Sequence, residues 1–545
     1  MQLLELLRKE STSLRRDIVL AASLSGLSSA AVLAIINDAA RTASSSSLNL
    51  RYLVMFVIAV SLYIVCLRYT FDSTTRLLEN IIENIRTRIA DKIRHSELNV
   101  LDNLGKAEIY NRLTQETATI SQFKGLLAAA LQSAVIVIFV SLYIAVLSWY
   151  AFIIVIVLMA IGVFLYLQAD RECRNYIERT SQKEIEFFDS VTHIIDGFQE
   201  IKVNQRRSDD IFQEAQQLST TVKDFKVKTD QLYNDNYILS QSLFYFILAA
   251  IVFVLPRLVP TYTDVVAETT TAIMFIIGPL STVVGAIPNL AKANIAIEHI
   301  FDLERRLDVQ QAGEASSVVS TTPPIAFTNI TLTDVEFTYE DRYANRLFTV
   351  GPLTLTVHAG ETLFIIGGNG SGKSTFLRLL TALYYPERGT ITIDGRQVDR
   401  NTVQSYRELF SIIFSDFHLF DKLYGLPEVQ QDTVKDLLTL MGLSNKTDFV
   451  AGRFTTLDLS TGQRKRLALL VTLLEDRPIY IFDEWAAEQD PEFRAYFYEV
   501  LLQELHQRGK TIIAVTHDDR YFHHADRIVK MDYGTIEFIK TPAEL

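Results

Sequence analysis

The chain predicts a membrane α-helical bundle of six transmembrane helices, followed by an α/β domain with a largely parallel sheet. Three observations carry this reading. Six apolar stretches, each about 20 residues or nearly so, fill much of the first 300 positions and suit helices that cross a bilayer. The polar stretches between them keep helical periodicity and hold almost no Gly or Pro. From about residue 326, short apolar strands alternate with helical patterns around a glycine-rich loop, GGNGSGKS at 367–374.

The spans fall near 18–38, 52–70, 125–147, 149–168, 237–257 and 264–290. Connections after spans 1, 3 and 5 are short. Those after spans 2 and 4 are long and carry most of the Lys and Arg, among them Arg86, Arg88, Lys92, Arg112, Arg179, Lys183 and Arg207. The positive-inside rule then places the long connections and both termini in the cytoplasm. The N-terminus, MQLLELLRKESTSLRR, lacks a cleavable-signal pattern and reads as a short amphipathic helix lying against the membrane.

Segments 71–124 and 169–236 read as helical extensions of the spans into the cytoplasm, turning at LDNLGKAE (101–108) and near DGFQEIKVNQ (196–205). Their tips either pack only on one another or touch the downstream domain; at 196–205, Gly197 either turns the chain or merely relaxes a helix. Pro279 and Pro288 interrupt span 6 and either kink it beside a substrate path or reflect packing irregularity. Asn37, Gln132 and Gln241, within or at the edge of spans, either line a cavity or bond across helices.

A chain of 545 residues needs at least two domains. We divide it into a transmembrane domain with two cytoplasmic helical hairpins (1–305), a linker ending in Pro323-Pro324 (306–325) and an α/β domain (326–545). The net charge of −12 argues against a nucleic-acid partner. Cys66 lies in an apolar run and Cys173 in a charged one; with no metal-ligand spacing around either, a disulfide framework is excluded.

GGNGSGKS follows the apolar run Leu363–Ile366 and opens a helical pattern, the strand–loop–helix context of a phosphate-binding loop. Gly367, Gly370 and Gly372 let main-chain N–H groups close around an anion, Lys373 reaches β/γ-phosphates, and the Ser374 hydroxyl suits Mg²⁺. The strand PIYIF delivers Asp483 and Glu484 to its carboxyl end, where one acid can hold Mg²⁺ and the other deprotonate a water. Ser460, in LSTGQ, caps a helix whose N-terminal amides can face an anion; an ordinary capped helix has the same sequence features.

The order of these parts resembles the ATP-binding-cassette ATPases, and six spans before one such domain resemble an exporter-type half-transporter. The resemblance implies ATP and Mg²⁺ as ligands. It implies nucleotide contacts from Tyr339, Gly367, Asn369, Gly370, Ser371, Gly372, Lys373, Ser374, Thr375, Ser460, Gly462, Gln463 and Asp490, with Tyr339 on adenine and Asp490 in the loop that crosses to the other subunit. It makes Glu484, His517 and Lys373 catalytic and Ser374 and Asp483 metal ligands. In that family LSTGQ covers the γ-phosphate held by a second subunit, which implies a homodimer. Two departures stand out. Ser415, followed by Asp416, occupies the place of a glutamine that ligates Mg²⁺, so these two become the candidate ligands there; and the stretch from Phe420 to Leu459 is short, implying a reduced helical subdomain. FSDFHLFD, LSTGQRKRLALL, IFDEWAAEQDPEFR and His517-Asp518-Asp519 are most similar to the bacterial cyclic-peptide exporter group of microcin- and syringomycin-type exporters and exporters of peptide siderophore precursors. That group implies ATP-driven export of a cyclic or modified peptide, or another amphiphile, across the bacterial inner membrane. A lipid or glycolipid flippase and a non-transporting ATP-gated sensor fit the same scaffold.

Overall fold

The computed structural model describes Glu5 and residues 13–42, 49–258, 263–308, 327–340, 346–426 and 428–544. The N-terminal amphipathic helix and the linker fall largely outside these residues. The chain forms two compact units, Met1–Lys92 with Lys106–Arg305, and Ile93–Gly105 with Arg306–Leu545.

Uninterrupted helix-forming sequence gives the first unit its long rods: α1 (Ser13–Thr42), α2 (Leu50–Arg94), α3 (Thr117–Leu147), α4 (Trp149–Asp196), α5 (Gln205–Ala249) and α6 (Thr263–Asp308). At ~1.5 Å per residue a 45-residue helix such as α2 is roughly 68 Å long, about twice a bilayer's apolar thickness, so an apolar span and its polar extension form a single helix. Among the described residues, five helical runs are long and apolar enough to cross a membrane: Arg16–Arg41, Leu50–Arg94, Glu108–Leu147, Gln205–Arg257 and Val266–Asp308. The remaining expected span lies in the apolar run that begins at Trp149, within a helix that continues to Asp196.

Burial divides α2 along its length. Val57, Ile58, Ile64 and Val65 are exposed, as lipid-facing residues would be without lipid, whereas Leu78, Ile81, Ile82, Ile85 and Ile89 form a buried helical stripe. A second core joins Leu33, Val140, Ile144, Val155, Ile247, Ile251 and Ile273 from α1, α3, α4, α6 and the α5 end. The intramembrane amides bond across helices: Gln132 Nε2 donates to Ser25 Oγ (2.7 Å), Gln241 Nε2 to Ser281 Oγ (2.9 Å) and Asn37 Nδ2 to the Tyr143 hydroxyl (3.1 Å). Helix α6 runs unbroken through Pro279 and Pro288. At 196–205 the chain does turn: Gly197 ends α4, a short helix Phe198–Val203 follows, and Asn204 Oδ1 caps α5 by accepting from Arg207 N.

In the second unit, strands are β1 (Asn329–Glu340), β2 (Arg346–His358), β3 (Thr362–Ile366), β4 (Arg388–Ile393), β5 (Arg396–Gln397), β6 (Phe410–Ile413), β7 (Phe449–Val450), β8 (Arg453–Phe454), β9 (Ile479–Asp483), β10 (Thr511–Val515), β11 (Arg527–Asp532) and β12 (Thr535–Lys540). An antiparallel sheet is ordered β2-β1-β4-β5. The second sheet, β12-β11-β3-β10-β9-β6, is parallel except for β12. Buried on both faces, β3, β9 and β10 read as continuous apolar runs, TLFII, IYIFD and TIIAV, rather than alternating ones. The stretch 420–459 holds one ten-residue helix, α8 (Gln431–Leu440), and the β7–β8 pair.

Candidate functional site

Strand register gathers the site. Val515 pairs with Asp483 across β10–β9 and with Ile365 across β10–β3, so the carboxyl ends of three parallel strands lie side by side. That edge is where open α/β sheets bind ligands.

The loop 367–374 leaves β3 there and enters helix α7 (Lys373–Leu380). Its conformation excludes side chains at two points. Gly367 has φ +151°, and a Cβ would come within 2.3 Å of Met531 O; Gly372, at φ +97°, caps α7 in the left-handed region. Asn369 and Gly370 form the exposed tip. Lys373 is buried, and its Nζ donates to the carbonyls of Gly367 and Gly368 at 3.0 Å each.

Asp483, at the end of β9, is buried. Its Oδ2 accepts from Ser374 Oγ (3.1 Å) and from the main-chain N–H of Ser415 (3.4 Å). Burial pushes its carboxyl above the ordinary range, against the lowering effect of these hydrogen bonds. Its Oδ1 and the Ser371 hydroxyl are buried without a hydrogen-bond partner among the described residues. Asp483, with an orphaned carboxylate oxygen and the Ser374 hydroxyl against its other oxygen, offers a donor set that suits a hard divalent cation. Asp416 is not brought there. Its carboxylate accepts from Arg378 Nη2 at 3.4 Å, one residue past the Ser415 amide.

Glu484 is in the left-handed region (φ 51°), uncommon for a non-glycine residue, with its N–H donating to Val515 O. Its Oε1 lies 3.3 Å from His517 Nε2 and 3.6 Å from Lys373 Nζ. A carboxylate so flanked can take a proton from water while the two cation-capable groups face the product anion.

Tyr339 and Thr375 meet, hydroxyl to hydroxyl at 3.0 Å, and the Tyr339 ring packs edge-on against Phe337 and Tyr384. LSTGQ begins helix α9 (Thr461–Glu475) with a full capping box: Gln463 N donates to Ser460 Oγ, and Ser460 N donates to Gln463 Oε1. Gln463's side chain therefore completes the cap. Gly462 lies against the loop after β9, where a Cβ would meet Glu488 O at 2.9 Å, and its carbonyl accepts from Gln489 Nε2. Asp490 caps the next short helix by accepting from Phe493 N, and also accepts from Arg466 Nη2. The capping N–H, with Arg466 beside it, holds its carboxyl below the usual range.

Three basic residues escape motif reading: Lys465, Arg466 and Arg378. Lys465 carries the clearest sequence signal, a charge at a position that shares a helical face with Leu469 and Thr472, both buried.

The profile of the ABC transporter transmembrane region matches residues 18–280, and that of the ABC transporter ATPase matches 350–487. ATP-binding protein SyrD of Pseudomonas syringae pv. syringae is 34 % identical over 466 residues, covering 84 % of this chain and 82 % of that protein. The ATP-dependent lipid A-core flippase of Alkalilimnicola ehrlichii is 30 % identical over 291 residues, covering 50 % and 47 %. A solved structure of a bacterial Atm1-family ABC exporter with ATP bound superposes with a TM-score of 0.79 at 18 % identity, covering 98 % of this chain and 96 % of that one. With membrane helices and an ATPase on one polypeptide, the chain belongs to the ABC transporters, as an exporter-type half-transporter that binds and hydrolyses ATP.

Proposed function

We propose that the protein is a homodimeric exporter of the bacterial inner membrane that uses ATP to move a cyclic or modified peptide, or a similar amphiphile, out of the cytoplasm. The observation that carries the reading is the convergence of Lys373, Ser374, Asp483, Glu484 and His517 on one sheet edge of a chain with membrane-spanning helices. Glu484 takes the proton of the attacking water, and His517 and Lys373 face the γ-phosphate. Ser374 and Asp483 would hold Mg²⁺, which supplies neutralising charge to the phosphates when bound; the Ser415 main chain steadies Asp483 from behind. Tyr339 and the loop residues up to Thr375 receive the nucleotide. Ser460 and Gly462 cover the ATP of the second subunit, so closure is dimerisation of the ATPase domains, and the ATPase and both termini lie on the cytoplasmic side.

Peptide as cargo rests on the likeness of FSDFHLFD, LSTGQRKRLALL and IFDEWAAEQDPEFR to the cyclic-peptide exporter group, and similarity to SyrD over most of the chain supports it. Similarity to a lipid A-core flippase favours lipid as the second reading. Inside-out proteoliposomes supplied with external ATP decide between them: accumulation of a labelled cyclic lipopeptide supports the proposal, and translocation of labelled glycolipid alone supports the second reading. Hydrolysis with neither cargo moved would favour a sensor.

A further inference from the structure

Lys465 is a buried cation, 3 % exposed, that the reaction described above does not use. Burying an ammonium is costly unless it is well partnered, so its partners report what it is for. Its Nζ donates to the main-chain carbonyl of Glu484 at 2.9 Å, with Glu488 Oε1 3.7 Å away. Its own carbonyl accepts from Trp485 Nε1 at 2.8 Å. One residue thus grips Glu484-Trp485 twice. Glu484 is the left-handed residue, a strained conformation that persists only where surroundings impose it. Further along, Gly462 O accepts from Gln489, and Arg466 donates to Gln489 and Asp490. The first turns of helix α9 and the loop 484–490 are therefore keyed together.

We propose that Lys465 is a positioning residue that sets the aim of Glu484 and wires it to the LSTGQ cap of its own helix. The inference rests on the dimeric reading above. In a dimer that cap seats on the nucleotide of the second subunit, while Lys465 holds the base of its own subunit's site. Engagement of one ATP then aligns the base that acts on the other, and the two sites work in concert. A displacement of about 1 Å at a reacting group can cost two orders of magnitude in rate, so a single hydrogen bond is enough to carry such a signal.

The test is ATPase activity against ATP concentration for the full-length protein in lipid nanodiscs, with dimer mass checked by light scattering. Lys465→Met should lower kcat by about tenfold or more with KM within about threefold, and should reduce the Hill coefficient to unity. Lys465→Gln, which keeps a donor for the Glu484 carbonyl, should recover most of kcat and the cooperativity, a rescue that a packing role would not produce. Trp485→Phe, losing only the ring donor, guards against a Met variant that does not fold and should lower kcat by roughly two- to fivefold at unchanged KM. Met and Phe variants with wild-type kcat and cooperativity overturn the proposal while leaving the dimeric exporter standing. A monomeric, non-cooperative wild type overturns the dimeric reading and this proposal with it.

Discussion

Replacing Glu484 by glutamine changes one atom and removes one charge. The amide keeps the side chain's length, and the backbone at φ 51° and its bond from Lys465 are untouched. An amide oxygen can still accept from His517, 3.3 Å away, and stays 3.6 Å from Lys373, but it cannot take a proton from water. Loss of a general base costs about 10²–10⁴ in rate, or roughly 3–5.5 kcal/mol at ~1.4 kcal/mol per decade. Affinity should move the other way. The carboxylate faces the same lysine as the γ-phosphate would, so it repels the nucleotide. A unit-charge pair near 4 Å is worth about 1 kcal/mol in water and about 4 kcal/mol near a protein surface. With Glu484's side chain 36 % exposed, the lower figure applies, and ATP should bind about fivefold tighter. Phosphate release at saturating ATP and equilibrium binding of ATP measure the two effects separately. A kcat within about tenfold of wild type would refute the base assignment. Binding weakened fivefold or more would instead show the carboxylate to be part of the ATP cradle.

Asp483→Asn should stabilise the protein in the absence of nucleotide and divalent metal. Burial raises the folded-state pKa, so the stability Asp483 contributes is full below its ordinary value of 3.8 and is lost as pH rises through the raised one. The Tm advantage of Asn, which does not titrate, should therefore widen from about pH 4 towards neutrality, and a gap independent of pH would refute this. Gly370→Ala, at φ +77° with nothing within 4 Å of the new Cβ, should cost about 1–2 kcal/mol of stability. Gly367→Ala should cost more and abolish ATP binding, because its Cβ would meet Met531 O at 2.3 Å; thermal melts showing equal losses would count against the steric argument. Ser415→Gln should change the ratio of ATPase in lipid vesicles to that in detergent more than it changes ATP affinity, and an unaltered ratio would remove position 415 from coupling.

Much of this was legible because local sequence and final contact coincide. Lys373, Ser374 and the glycines of their loop act within eight residues, and Asp483 and Glu484 follow a strand whose apolar run announces it. The membrane helices were legible for the same reason, since each apolar run lies within one continuous helix. Contacts distant in sequence were not legible. The Asn37–Tyr143, Gln132–Ser25 and Gln241–Ser281 bonds join residues 106, 107 and 40 positions apart, and a lone polar residue in an apolar run does not say whether it faces a cavity or a neighbour. Lys465 and Arg466 were hidden by a different effect. They follow the LSTGQ motif without belonging to it, and only the packing of their helix face turns them into ties to Glu484, Gln489 and Asp490.

At Ser415 both main chain and side chain bear on Asp483: the N–H, which any residue except proline would supply, donates to Oδ2, and the serine side chain also helps to hold the carboxyl down. The next residue, Asp416, is held by Arg378 of α7. Arg378 Nη1 also donates to the Tyr384 hydroxyl at 3.0 Å, and that hydroxyl donates to Asp102 Oδ2 at 2.8 Å. Burial, helped by the bond to Asp102, pushes the Tyr384 phenol far above its ordinary range, so it stays a protonated donor under physiological conditions. Tyr384 itself stacks on Phe337, which fixes the ring and leaves the hydroxyl one direction in which to point. Arg378 therefore ties the loop that carries Ser415 and Asp416 to residue 102, which belongs to the same compact unit. An arginine and a tyrosine, each constrained by aromatic packing, hold that tie with less conformational entropy to lose than free side chains would have.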